Sequence, residues 1–223
     1  MNRNTEEHPE AIFFDMDGLL VDTEPYWLET ERELMAEFGF QWQVENQLFC
    51  LGGPMEKVGR YMSELSNAQE SPEWFANELI DRMAGKFQQI SLMPGIAELL
   101  KEIADRQLPA ALVSASPRRL VDAVLDSIPT HPFALSISAD DVTRGKPHPD
   151  PYLQAGRQLT VQIENSLIFE DSPTGVMAAR TSGAWVIAVP HIAAIDPAPK
   201  SIVLNTLHGH SIASLWELVH TKS

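Results

Sequence analysis

The sequence predicts an α/β protein: a parallel sheet covered by helices on both faces, with an all-helical insert after the first strand. Three observations predict it. Apolar runs of strand length recur at residues 12–14, 110–113, 135–138, 167–169 and 185–189. Helical patterns separate most of them, and strands alternating with helices make a parallel sheet because each parallel pairing needs a crossover. About ninety residues lie between the first two runs, far more than one crossover helix requires.

Taken in order, the first strand, Ile12-Phe13-Phe14, runs into Asp15-Met16-Asp17-Gly18, two carboxylates one residue apart and then a glycine. In the insert, Pro25 suits a helix start, Trp27, Glu31, Leu34 and Phe38 follow at helical spacing, and Gly39 stops the run. Ser71-Pro72-Glu73 is a second helix start, followed by Phe75, Leu79, Met83 and Phe87 at four-residue intervals. These aromatic stripes read as the insert's own core. Trp27 stands apart because it follows closely on the acidic loop, where it has the choice of facing the reaction centre or the insert. The expected division is a core of residues 1–22 and 91–223 and a helical cap of residues 23–90, joined by two connections that form a hinge. Beyond the insert, helices are expected at residues 95–105 (Ile96, Leu99, Leu100 and Ile103 on one face), 118–126, 151–159 and 174–181.

At 223 residues the chain is long enough to bury a substantial core. Sixteen basic against thirty-one acidic residues give a formal charge of −15, a field that repels nucleic acid and anionic membranes. An anionic small substrate then has to be captured by local positive charge. Cys50 is the only cysteine, which rules out an internal disulfide. Residues 1–10 are polar, and the apolar run after them is too short for a signal sequence or a membrane span, so a cytoplasmic protein is expected. The oligomeric state is not readable, and a monomer is compatible with the sequence.

In an open parallel sheet, ligands gather at the carboxyl ends of the strands. The first strand ends in Asp15 and Asp17. The second is followed by Ser114-Ala115-Ser116-Pro117, a hydroxyl and backbone N–H groups leading into a helix N-terminus, which suits an anion. Beyond the third comes Arg144-Gly145-Lys146-Pro147-His148-Pro149-Asp150, a lysine in a stiff turn, and the fourth ends in Glu170-Asp171-Ser172-Pro173-Thr174-Gly175. Each element alone has a plain structural explanation: chance acids, a capping serine, a surface lysine. Together, at four successive strand ends, they place carboxylates that would repel one another unless a hard cation sits among them.

In its ordered motifs DMDGLLVDTE, VSAS, GKPHPD and FEDSPTGVMAA, the chain resembles the haloacid dehalogenase (HAD) superfamily over nearly its whole length, in the branch of β-phosphoglucomutase and the sugar-phosphate phosphatases. The resemblance implies a Rossmann-like core beneath a mobile helical cap. It implies Asp15 as the nucleophile that forms an aspartyl-phosphate, and Asp17 as the general acid and then base. Ser114, Ala115 and Lys146 fall at the phosphate-binding positions. Asp15, Asp17 (through its backbone carbonyl), Glu170 and Asp171 fall at the Mg²⁺ positions.

A carboxylate attacking a phosphate dianion needs Mg²⁺ and Lys146 to neutralise the equatorial oxygens, which agrees with this set. The second aspartate and the Glu170-Asp171 pair point away from dehalogenation. The family's mutases carry a cap histidine and a cap arginine, and those positions fall here at Trp27 and near Met55, in Leu51-Gly52-Gly53-Pro54-Met55-Glu56. Neither residue binds a second phosphate by charge. The cap cations Lys57, Arg60, Arg82 and Lys86 read as solvated helix residues.

The expected function is hydrolysis of a small phosphorylated metabolite, a sugar phosphate, with a phosphosugar mutase and a non-catalytic phospho-ligand-binding relative as alternatives. His148 is expected to shape the Lys146 turn, and His131, His191, His208, His210 and His220 show no metal-ligand spacing with nearby acids. Val176 and Met177 are expected in the core.

Overall fold

A computed structural model describes residues 8–50, 55–87, 90–128 and 130–222. The chain divides into two compact units: Met1–Asp22, Ser91–Val121 and Ile128–Ser223 make one, Thr23–Ile90 and Asp122–Ser127 the other.

The first unit is built on strands β1 (Ile12–Phe14), β2 (Ala110–Val113), β3 (Leu135–Ile137), β4 (Leu167–Glu170), β5 (Trp185–Ala188) and β6 (Ser201–Val203), all parallel, in the order β3-β2-β1-β4-β5-β6. This is the expected fold class. Sequence patterning misses β6, whose Ser-Ile-Val is too short to show a period. The register sets Phe14 beside both Leu112 and Phe169, so the residues that follow β1, β2 and β4 emerge side by side at one edge.

Alternation along the strands sorts the sheet's two sides. Phe13, Ala111, Val113, Ile168, Val186 and Ala188 share a cluster with Tyr152 and Ala155 of α7 (Asp150–Leu159) and with Val176, Ala178 and Ala179 of α8 (Pro173–Ser182). On the other side, Trp185 meets Trp216 of α9 (Ile212–Lys222), which packs against α5 (Ile96–Arg106). In α8, Val176 is buried as expected but Met177 is 58% exposed, a correction. The helix turns 100° per residue, and its buried face is taken by Gly175, Val176, Ala178, Ala179 and Ser182.

The helical unit holds α1 (Glu24–Glu37), α2 (Val44–Cys50), α3 (Met55–Leu65) and α4 (Pro72–Lys86). Ser71 caps α4 by accepting from Trp74 N–H at 3.1 Å, and Phe75, Leu79, Met83 and Phe87 are all fully buried. Trp27 packs against the cluster of Leu34, Met35, Trp42, Phe75 and Leu79. Of the cap cations Arg60 is exposed, as expected, but the other three are held by partners. Arg82 bridges Glu37 and Glu78, and Lys86 joins Glu29 and Glu33, so that α4 is tied to α1. Lys57 donates to the Phe49 carbonyl at 2.6 Å. The loop 51–54, compared above with the mutases' arginine position, lies outside the described residues.

One buried acid of this unit gives a pH test. Glu31 is 3% exposed and accepts from Trp42 Nε1 at 2.9 Å. Burial is the main cause that raises its carboxyl from an ordinary 4.5 to about 7; the Trp42 hydrogen bond opposes this and Glu24 adds to it. A raised folded-state value means stability that is fully present below about pH 4.5 and lost as pH rises through about 7. Glu31→Gln is therefore expected to match the parent near pH 4.5 and to exceed it at pH 8, by on the order of 3 kcal/mol. Denaturant unfolding at the two pH values reads this, and an unchanged difference refutes it.

Candidate active site

The carboxyl edge of the sheet collects the predicted residues. Asp15 leaves β1 with its N–H bonded to Phe169 O at 3.0 Å, and the chain then folds tightly, Gly18 N–H donating to Val21 O at 2.9 Å. Gly18 has φ +79°, and a Cβ there would lie 2.4 Å from Asp171 Oδ2, so only glycine lets the acidic loop and the end of β4 approach this closely. Glu170 requires the same of Gly175 in the first turn of α8, where a Cβ would fall 1.9 Å from Oε1.

Lys146 reaches in from the turn before α7. Its ammonium donates to Asp15 Oδ1 at 2.5 Å, Glu170 Oε1 at 2.5 Å and Val113 O at 2.8 Å. Asp15, Glu170 and Asp171 each offer a carboxylate oxygen within 4.8 Å of the others. Of the residues expected at the phosphate, Ser114 is buried and its Oγ accepts from Ser116 N–H at 2.9 Å, across Ala115.

Asp17 Oδ2 accepts from Ser116 Oγ at 2.7 Å and from Ser114 Oγ at 3.4 Å. Ser116 lies inside the second sequence motif, and its i+2 spacing from Ser114, which mirrors that of Asp15 and Asp17 after the adjacent strand β1, is the signal in the sequence that points to it.

Two further residues lie outside the motifs. Tyr152 is fully buried beneath Glu170, and nothing in a sequence separates such a tyrosine from a core aromatic. His191, which follows β5, places Nε2 3.8 Å from Asp22 Oδ1. His148 stays in the Lys146 turn, its N–H on Gly145 O and its Nδ1 accepting from Asp150 N–H.

The electrostatics test whether a cation fits. Burial is the largest influence on Asp15; Lys146 opposes it, Glu170 and Asp17 add to it, and the carboxyl rises from 3.8 to about 8. For Asp171, burial and then Asp15 and Glu170 raise the carboxyl to about 9. Burial pushes the Lys146 ammonium down, but Asp15 and Glu170 outweigh it and hold it above its ordinary value. Thus one ammonium does not neutralise the carboxylates around it. The donors are all hard oxygens, and the deficit is positive charge, which suits a Mg²⁺-sized ion.

Residues 12–189 match the family described as haloacid dehalogenase-like hydrolase. The bifunctional riboflavin kinase/FMN phosphatase of Arabidopsis thaliana is 27% identical over 98% of this chain, and the match spans 56% of that longer protein. Fructose-1-phosphate phosphatase YqaB of Escherichia coli is 28% identical over 82% of this chain and 97% of its own. Among solved structures, β-phosphoglucomutase from Clostridium difficile superposes with a TM-score of 0.77 at 21% identity, covering 95% of this chain and 97% of that one, a likeness of fold. The chain belongs to the haloacid dehalogenase-like hydrolases. Its fold is that of β-phosphoglucomutase, and it is an enzyme of the phosphatase kind.

Proposed function

We propose that the protein is a Mg²⁺-dependent phosphatase that hydrolyses a small phosphorylated metabolite, a sugar phosphate, through an aspartyl-phosphate on Asp15. The observation that carries this reading is the buried junction of Asp15, Glu170, Asp171 and Lys146, an anionic cluster with a positive-charge deficit at the strand ends. Asp15 and Asp171, with Glu170 beside them and the Asp17 carbonyl, would hold Mg²⁺, which when bound neutralises phosphoryl oxygens as a Lewis acid.

The chain's own residues do the rest. An Asp15 oxygen forms the new bond to phosphorus while the ester oxygen leaves with its electron pair and takes a proton from Asp17. Asp17 then removes a proton from water, the water oxygen bonds to phosphorus, and the bond to Asp15 breaks, which returns the carboxylate and releases inorganic phosphate. The Ser114 and Ser116 hydroxyls fix the orientation of Asp17 through both exchanges. Lys146 faces the charge that develops on the phosphoryl group.

The relatives' names support the substrate class. FMN and fructose 1-phosphate are both esters of a primary alcohol on a polyhydroxylated chain, the pattern expected of this protein's substrate.

The test is a panel of sugar phosphates, polyol phosphates and nucleotides assayed for free phosphate with Mg²⁺, with excess EDTA, and with Mg²⁺ restored. Release with Mg²⁺, its loss in EDTA and its return on adding Mg²⁺ are expected. Isomerisation of a hexose 1-phosphate primed with its bisphosphate, without phosphate release, would show a mutase. Phosphate-ester binding without turnover across the panel would show a non-catalytic relative.

A further inference from the structure

We propose that Tyr152 is a positioning residue for the Lys146 ammonium, acting through Glu170 and through the face of its own ring. The proposal rests on the phosphatase reading, in which Lys146 must meet a phosphoryl oxygen. An ammonium has three N–H donors, and here all three are engaged, on Asp15 Oδ1, Glu170 Oε1 and Val113 O. To bind an arriving phosphoryl oxygen, Lys146 must release one acceptor and keep its place.

Tyr152 makes Glu170 the acceptor that lets go. Its hydroxyl donates to the same Oε1 at 2.7 Å, while Oε2 accepts from Asp171 N–H at 3.1 Å and Ser172 Oγ at 3.4 Å. The fully buried carboxylate is therefore satisfied on both oxygens without Lys146, and its charge remains spread over protein donors when the ammonium turns. The Tyr152 ring lies 4.9 Å from Nζ, close enough for a cation–π contact that steadies the charge whichever partner the N–H groups face. The ring itself is locked: it is completely buried, edge-on to Phe13 at 6.4 Å. Without the hydroxyl, Oε1 would have Lys146 as its sole donor and would hold it against transfer to the phosphoryl group.

Tyr152→Phe keeps the ring and removes the hydroxyl. The expected result is a fall of about tenfold in kcat/KM with Mg²⁺ present, and a rise of similar size in the dissociation constant for inorganic phosphate by titration calorimetry, with an unfolding midpoint close to the parent. The decisive measurement is a double-mutant cycle with Glu170→Gln, read on phosphate affinity, which needs no turnover. If the hydroxyl acts through Glu170, removing it from the Glu170→Gln protein costs little further affinity. Equal losses in both backgrounds overturn the proposal, as does a Tyr152→Phe protein that is less stable but kinetically unchanged. A parent protein that releases no phosphate from any ester refutes the phosphatase reading instead; a parent that turns over while Tyr152→Phe matches it refutes only the role of Tyr152.

Discussion

Asp15→Asn is expected to lower turnover of any substrate by about 10³-fold or more, because an amide has the shape of the carboxylate without its nucleophilic charge. The loss should fall on kcat. The amide keeps an oxygen near Lys146, and Lys146 retains Glu170 and the Val113 carbonyl, so the site should stay assembled and substrate should still bind. Acid-quenched parent protein, examined by mass spectrometry during turnover, should carry a phosphoryl group that Asp15→Asn lacks. A variant with ordinary turnover would remove the nucleophile from this residue, and phosphoryl incorporation elsewhere in the variant would relocate it.

The placement of the candidate site is legible in the sequence because in a parallel sheet the position of a residue along the chain is also a position in space. Once β1, β2 and β4 are recognised as strands, the register that pairs Ile12 with both Ala110 and Leu167 brings the residues after each strand to one edge. The helices on either side announced themselves by period, as with Ile96, Leu99, Leu100 and Ile103, all buried on one face of α5.

What stayed hidden has physical reasons. The three residues of β6 derive their strand character from pairing with β5, and nothing local marks them. Helix α9 does carry a local signal, since Ile212, Leu215, Trp216 and Val219 recur at helical spacing and are all buried; the stacking of Trp216 and His220 on Trp185 of a distant strand is what no window along the chain contains. Met177 shares its side of α8 with Thr174, Arg180 and Thr181, and Thr174 and Thr181 are exposed, so the helical period turns it toward water although its side chain is apolar. Glu31 falls at helical spacing with Trp27, Leu34 and Phe38, and what the spacing does not show is that the Trp42 indole gives its carboxyl a partner inside the core.

The second large effect is expected at Lys146, where stability and catalysis have one electrostatic origin. Lys146 is 3% exposed and pairs with Asp15 and Glu170, which are themselves 9% and 0% exposed at the side chain. Lys146→Met fills the volume and removes the charge, which leaves two buried carboxylates without their cation. Removing one partner of such a group costs about 3–5 kcal/mol, which for a chain of this length lowers the unfolding midpoint by roughly 10 °C when the metal is chelated. Turnover should fall by about 10²-fold or more, since the charge facing the phosphoryl group in the transition state is gone.

Mg²⁺ separates this account from simple loss of packing. In the proposed site the ion and the ammonium are two answers to the same deficit, and in the parent they would repel each other. Without Lys146 the ion faces the carboxylates unopposed, so it should bind more tightly and raise the midpoint of Lys146→Met by more than it raises the parent's. The measurement is thermal unfolding of both proteins across a Mg²⁺ series. Equal increments in the two would mean that Lys146 and the ion do not share these carboxylates, and the site would then have to hold its metal elsewhere.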